Sequence, residues 1–315
     1  MQKLGKFEEG RQIWRARFGK KERQSTAPNQ IEGKKAVFSQ LVSAAVRAIL
    51  VLLLIATPSI LLPGVTVDSS QTVSLVALFA AALTFFEYST SYPSIVEFRD
   101  APPFNRVRFV SLFMTVFLLS VVFRGLVEPT TLTMFVEATG TVIGQAIDFP
   151  YSPVRLVVLM LPEDASVQSL MLVRTAAGIS YLISLVTLAV FLIILRVQNW
   201  PSHNKSFNVW VNLPTFDPTA GGDVVERLYR DSRFNIALGF LLPFLSPMIV
   251  KAASTVFTPI TLESPQTMVW TMAAWAFLPA SLFMRGIAMG RIASMIEQKR
   301  KQSDALAERE GLQPV

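Results

Sequence analysis

The sequence predicts an all-α integral membrane protein of about six transmembrane helices, both termini cytoplasmic, with an interfacial or re-entrant segment between the third and fourth spans. Three observations predict it. Only 16% of the 315 residues are charged while 51% are hydrophobic, against about 25% charged in a soluble domain. The apolar residues collect in runs of about 20, the length that crosses the hydrocarbon as a helix. Lys and Arg gather in alternate connections, as they do on the cytoplasmic side of a bilayer.

The spans are expected at 42–63, 72–90, 107–126, 172–195, 234–255 and 268–290. In lipid every backbone polar group needs an internal partner, so runs this long form helices. With six crossings the N-terminal tail, the connections at 91–106 and 196–233 and the C-terminus share one side. That side holds Arg99, Arg106, Arg196, Lys205, Arg227, Arg230, Arg233, Arg291, Lys299, Arg300, Lys301 and Arg309. The opposite connections carry Asp68, Glu128, Glu137, Asp148, Glu163, Asp164 and Glu263 against Arg155. Trp200 and Trp210 on one side and Trp270 on the other suit interfacial anchoring.

Three sections follow. Residues 1–37 form a basic amphipathic cytoplasmic segment, 38–290 the helical membrane domain, and 291–315 a cytoplasmic helical tail continuing the sixth span. No continuous apolar stretch of a cleavable signal opens the chain. Leu4, Phe7, Trp14 and Phe18 share one helical face among many Lys and Arg, which suits an anionic membrane surface or docking on the protein's own cytoplasmic face. Between spans three and four, 130–168 is too apolar for a loop in water. Its first part suits a helix in the interface, and 154–161, too short to cross, suits an in-plane element, a re-entrant segment or a buried strand.

Prolines fall inside spans at Pro58, Pro243, Pro247 and Pro279. Each removes a backbone hydrogen bond, so these are candidate helix kinks. Charges inside spans are few and near the ends. Glu87, Arg47 and Arg285 lie toward the cytoplasmic leaflet and form a candidate intramembrane pairing if spans one, two and six are neighbours. Arg124, Arg174 and Lys251 lie at the outer ends, where long stems reach water. Gly286 and Gly290, four apart, suit close helix packing, within the bundle or between copies.

Two cytoplasmic connections share a pattern. Val96, Glu97, Phe98, Arg99, Asp100, Phe104 and Asn105 align with Val225, Glu226, Tyr229, Arg230, Asp231, Phe234 and Asn235, each before an outgoing span. In structural terms Asp or Asn caps the helix that follows, Arg meets lipid phosphate or a carboxylate, and the aromatic anchors the interface. In functional terms the copies face one another, and Arg99, Asp100, Asn105, Arg106, Arg230, Asp231 and Asn235 build a polar cytoplasmic site for an anionic headgroup or an acidic segment.

No Cys is present, and His203 is the single His, so thiolate chemistry and His-built metal cages are excluded within one chain. Metal-protease, nucleophile-elbow and phosphate-loop patterns are absent, and no catalytic residue, cofactor or metal is expected. The function expected is a non-enzymatic accessory, scaffold or assembly subunit of a membrane complex in the bacterial inner membrane. The alternatives are a small-solute or ion transporter or channel and, behind it, a lipid-modifying enzyme. Expected partners are membrane lipids, anionic headgroups on the cytoplasmic side, and proteins within the membrane, with no nucleic acid.

Overall fold

Long apolar runs with few charges leave the backbone one way to satisfy itself in lipid, the helix, and helices dominate the computed structural model, which describes residues 26–91, 94–201, 208–217, 221–254 and 264–309. They are α1 Thr26–Leu61, α2 Val67–Ser89, α3 Phe104–Gly125, α4 Thr131–Ala146, α5 Pro153–Val158, α6 Val167–Val197, α7 Val209–Asn212, α8 Val224–Ser254 and α9 Pro265–Arg309. No strand occurs among the described residues. Six helices are long and apolar enough to cross a membrane: α1 from Val37, α2, α3, α6, α8 and α9. The fold is thus that of a multi-pass membrane protein. Each expected span lies within or across one of these helices, and α8 and α9 extend well beyond the expected limits. The N-terminal amphipathic stretch before Thr26 and His203 fall outside the described residues.

Side-chain caps set many of the boundaries. Thr66 Oγ1 accepts from the Ser69 amide at the start of α2, and Ser166 Oγ from the Ser169 amide at the start of α6. Thr130 and Thr133 form a reciprocal capping box on α4, which satisfies two otherwise orphaned donors. α4 has 16 residues, or about 24 Å, short of the ~30 Å hydrocarbon layer. It packs against α6 where Gly144 and Gly178 meet: a Cβ on Gly178 would lie 2.5 Å from the Gly144 Cα. The stretch at 154–161 is not a strand: 154–158 belong to the short helix α5 and 159–161 turn away from it. Ser152 caps it, Pro153 opens it, and Val154, Val157 and Val158 are buried.

The buried side chains form two clusters. One joins Leu54, Val116, Leu119, Val122, Val154, Val157, Val173, Ala177 and Met272. The other joins Phe98, Phe104, Phe191, Leu195, Leu213, Phe216, Leu228, Met284 and Ile292. The second lies at the end carrying α1's start, the described residues 94–103, 198–201 and 208–217 of two connections, and the end of α9; its excess of Lys and Arg makes it the basic face. Trp200, expected as an interfacial anchor, is buried here.

The prolines sit inside continuous helices. Pro247 cannot donate to the Pro243 carbonyl one turn earlier, and Trp275 Nε1 of α9 donates to that oxygen at 3.2 Å. Pro58 lies three residues before the end of α1, which places it at the helix terminus rather than mid-span. Gly286 and Gly290 pack within the bundle. A Cβ on either would lie 2.7–2.8 Å from Ser232 atoms of α8, and Ser232 Oγ donates to the Gly286 carbonyl at 2.7 Å.

Toward the opposite face, Asp148 lies between Arg155 Nε and Arg174 Nε, each 2.8 Å from a carboxylate oxygen. Arg174 therefore joins α4, α5 and α6 instead of reaching outward to water. Arg124 pairs with Glu128 at 2.9 Å, and Lys251 Nζ donates to the Leu161 carbonyl at 3.3 Å.

Candidate functional site

The polar residues singled out by the sequence converge on the basic face, but with different partners from those expected. After α2 the chain turns back so that the amides of Ser94, Ile95 and Val96 and the Ser94 hydroxyl all donate to the Glu87 carboxylate at 2.5–3.2 Å. Glu87 is thereby occupied by its own loop. Arg47 donates to the Ser43 carbonyl at 2.9 Å and to the Ser43 hydroxyl, and its guanidinium lies 4.5 Å over the Tyr88 ring. Arg285 turns to Glu97, in a bidentate pair of 2.6 and 2.8 Å. The expected grouping of Glu87, Arg47 and Arg285 is therefore not formed. The loop at 94–96 reaches Glu87 first, because it lies only seven to nine residues along the chain.

Glu97 is the centre of the arrangement. Besides Arg285 it accepts 2.7 Å from Thr215 Oγ1, and its carbonyl accepts 2.7 Å from Asn105 Nδ2. Burial pushes its carboxyl up, but bonds from Arg285 and Thr215 and the charges of Arg285 and Arg108 outweigh that, and hold it below the usual 4.5. The next connection is pinned to the same place. Phe98 donates its amide to the Asn212 carbonyl at 2.7 Å, and Asp100 its amide to Asn212 Oδ1 at 3.1 Å. Phe98 has φ 52, a conformation costing about 1–3 kcal/mol in a non-glycine residue. Its ring is buried against Phe104 and Trp200, with centroids 4.3 and 6.2 Å away.

Arg99 caps a helix. Its Nη1 donates to the Glu87 and Thr90 carbonyls at 2.8 and 2.7 Å and its Nη2 to Ser91 at 3.3 Å, so the cation covers the free carbonyls ending α2. Its Nε lies 3.3 Å from Asp100. Neither Asp100 nor Asn105 caps α3. The cap position is Pro103, without a side-chain bond, and Asn105 lies inside the helix as a donor.

The second copy of the pattern lies inside α8, not in the loop before it. Arg230 and Asp231 are 3.7 Å apart at the surface, and Asn235 Nδ2 donates to the Asp231 carbonyl at 2.7 Å, one turn back. Arg106 is exposed. The residue at the start of α8 is Asp223, outside the pattern; its Oδ1 accepts from the Val225 amide at 3.3 Å and from Arg300 at 2.7 Å. The Arg300 bond, with the helix amides, holds the Asp223 carboxyl below its ordinary value. The two copies share one buried cluster, through Phe98 and Phe104 on one side and Val225 and Leu228 on the other, and Arg285, which binds Glu97, lies within electrostatic reach of Asp231.

Several residues here escaped the sequence reading as site members: Glu97, Tyr88, Thr215, Asn212 and Arg108. Arg108 stands one turn inside α3 over the rings of Phe104 and Phe277, 5.2 and 5.8 Å from their centroids. Its buried Nε has no hydrogen-bond partner. The signal was present, a charge inside an apolar helix, but an expected start at 107 put Arg108 at the edge. α3 begins at Phe104 because Pro102 and Pro103 precede it.

Among the described residues no group of His, Asp or Glu has the arrangement of a metal site. A polar pocket of about 360 Å³ opens between α1, the end of α2 and the 94–103 loop, lined by Gln40, Ser43, Arg47, Tyr88, Ser91, Arg99 and Asp100. An apolar one of about 410 Å³ lies between α5, α8 and α9 beside Pro247 and Pro279. Compared with protein-family models, curated proteins and solved structures, the chain matches none of them.

Proposed function

We propose that this chain is a non-enzymatic accessory, scaffold or assembly subunit of a membrane complex, sitting in the bacterial inner membrane with its basic face and both termini in the cytoplasm. The orientation follows the Lys and Arg bias of alternate connections. One observation carries the function: on the basic face, two connections more than 100 residues apart in sequence are joined into a single rigid platform. Asn212 holds the backbone of Phe98 and Asp100, and Thr215 and Arg285 hold Glu97. These polar groups are engaged with one another, which suits holding a surface in shape for a partner. The exposed Arg106, Arg230 and Arg233 around it suit an acidic partner segment.

The experiment is gentle solubilisation of the tagged full chain, followed by sizing and mass spectrometry of what travels with it. Stoichiometric partner chains are expected, and Asn212→Ala together with Thr215→Ala should release them while the protein keeps its monodisperse profile. A chain that travels alone overturns the scaffold reading.

A second reading, a transporter of a small solute, draws on the pocket beside Pro247 and Pro279, where Ser246 and Thr271 are the polar members of an otherwise apolar lining. Single cysteines at Ser246 and Thr271, in the naturally Cys-free chain, would react with a water-borne thiol reagent if that pocket opens to water. Failure to label at both positions removes this reading.

A further inference from the structure

Two guanidiniums face one polar pocket at the basic end of the α1–α2 corner. Arg47 of α1 lies 4.5 Å over the Tyr88 ring, and Arg99 of the following connection lines the same pocket. The carboxylates nearby are mostly engaged elsewhere. Glu97 is held by Arg285, and Glu87 by the amides of 94–96. Asp100, which touches Arg99, lines the same pocket and is largely exposed, remains to balance two cations. A cation in a low-dielectric site without a nearby anion is costly, and an anionic ligand with several acceptor oxygens removes that cost. The polar pocket lined by Arg47, Arg99, Tyr88 and Ser43 has room for such a group.

The pocket does not stand alone. An apolar groove of about 280 Å³ runs between α1 and α3, with Leu50, Leu53 and Thr57 on one wall and Phe109, Phe113 and Phe117 on the other. The three rings form a ladder with successive centroids 6.0 Å apart. Groove and pocket adjoin along α1, where Leu50 is three residues beyond Arg47. On a helix, 40, 43, 47, 50 and 57 fall on one broad face, so that face of α1 is polar at its basic end and apolar farther in.

The geometry points to an anionic phospholipid bound at this corner, its phosphate between Arg47 and Arg99 and one acyl chain along the Phe109–Phe113–Phe117 ladder. A cationic, hydroxyl-bearing head over an apolar channel matches a lipid and does not match a free phosphate, which would leave the channel unused. The site is independent of the scaffold reading, since lipid can bind whether or not a partner chain does.

The test uses the full-length protein in neutral detergent, titrated with phosphatidylglycerol or phosphatidylcholine, with native mass spectrometry reading bound lipid and a thermal scan reading stabilisation. Phosphatidylglycerol should bind at least about tenfold more tightly, as charge-assisted bonds of this number predict. Arg47→Gln should remove most of that preference, while Arg230→Gln, on an exposed arginine elsewhere on the basic face, should leave it intact. Leu53→Trp, which fills the groove, should weaken both lipids. Equal affinity for the two lipids, an undiminished preference in Arg47→Gln, or the same stabilisation from inorganic phosphate alone would each overturn the proposal. If Arg47→Gln does not fold, a phosphatidylglycerol with a photoreactive acyl chain, crosslinked to the unmodified protein, decides it. Label on the peptides spanning 50–61 and 109–117 supports the site, and label confined to other helices overturns it.

Discussion

The two copies of the shared pattern, residues 96–105 and 225–235, use nearly the same side chains in opposite ways. In the first, Arg99 is 6% exposed and caps α2; in the second, Arg230 is 75% exposed and pairs with its neighbour Asp231. Phe104 is 1% exposed and Phe234 63%. Glu97 joins a half-buried pair with Arg285, while Glu226 faces outward. Pro102 and Pro103 account for the contrast. They forbid a helix through the first copy, so its chain folds back and turns its polar groups inward. Nothing interrupts the second, which α8 reads at helical spacing. That spacing buries Val225, Leu228, Ser232, Asn235 and Gly239 against α9 and leaves Glu226, Arg230 and Phe234 on the open side.

The contrast can be broken position by position. The largest difference is expected at the aromatic. Phe104→Ala empties a site between Phe98 and Phe191 and should cost about 3–5 kcal/mol, whereas Phe234→Ala should stay within about 0.5 kcal/mol. Thermal midpoints in one detergent compare the two directly, and equal losses would dissolve the distinction. Next comes the acid. Glu97→Gln strands Arg285 and leaves Arg108 with less compensation, a loss of about 3 kcal/mol, while Glu226→Gln should be near neutral.

Acid titration sharpens the same pair. The Glu97 carboxyl is held below its usual 4.5 in the folded chain. Its stabilising contribution is therefore complete above the unfolded value and fades as pH falls through the lower folded one. The midpoint difference between wild type and Glu97→Gln should be constant through neutral pH and shrink only in the acid range below 4.5. A difference already fading near neutral pH would contradict this sign.

Smaller again, Arg99→Ala removes the cation covering the last carbonyls of α2. It should cost about 1 kcal/mol and speed amide exchange at that helix end; Arg230→Ala should do neither. The asparagines should not differ at all. Asn105 and Asn235 each donate 2.7 Å to a backbone carbonyl, so alanine at either should cost about 1 kcal/mol, read as matching midpoint shifts.

Fold and site differ in how far the sequence reveals them. The spans were readable because length and apolar content are local properties, whereas the helix caps were not, since neither Asp100 nor Asn105 caps the helix that follows it. The fate of 154–161 was less readable. Six residues with three buried valines carry no period of their own, and only packing against α6 and α8 makes them a helix. Among the site residues, Arg99, Asp100, Asn105, Arg230, Asp231 and Asn235 were noticed as residue types, but not their partners. Glu97 stood in the aligned pattern without being marked as its centre, and Arg108 was missed by one turn of helix.

By itself the sequence determined that the chain is helical, how many helices can cross a membrane, and which end of the bundle is basic. Each depends on composition within about 20 consecutive residues, the scale at which the hydrocarbon layer acts. Only the tertiary structure decided that Arg285 takes Glu97 and not Glu87, that Asn212 and Thr215 tie one connection to the other, and that Ser232 seats Gly286. Such choices belong to residues brought together from opposite ends of the chain. Charges and small side chains can accept many partners, and the helix packing that selects one is not written at any single position.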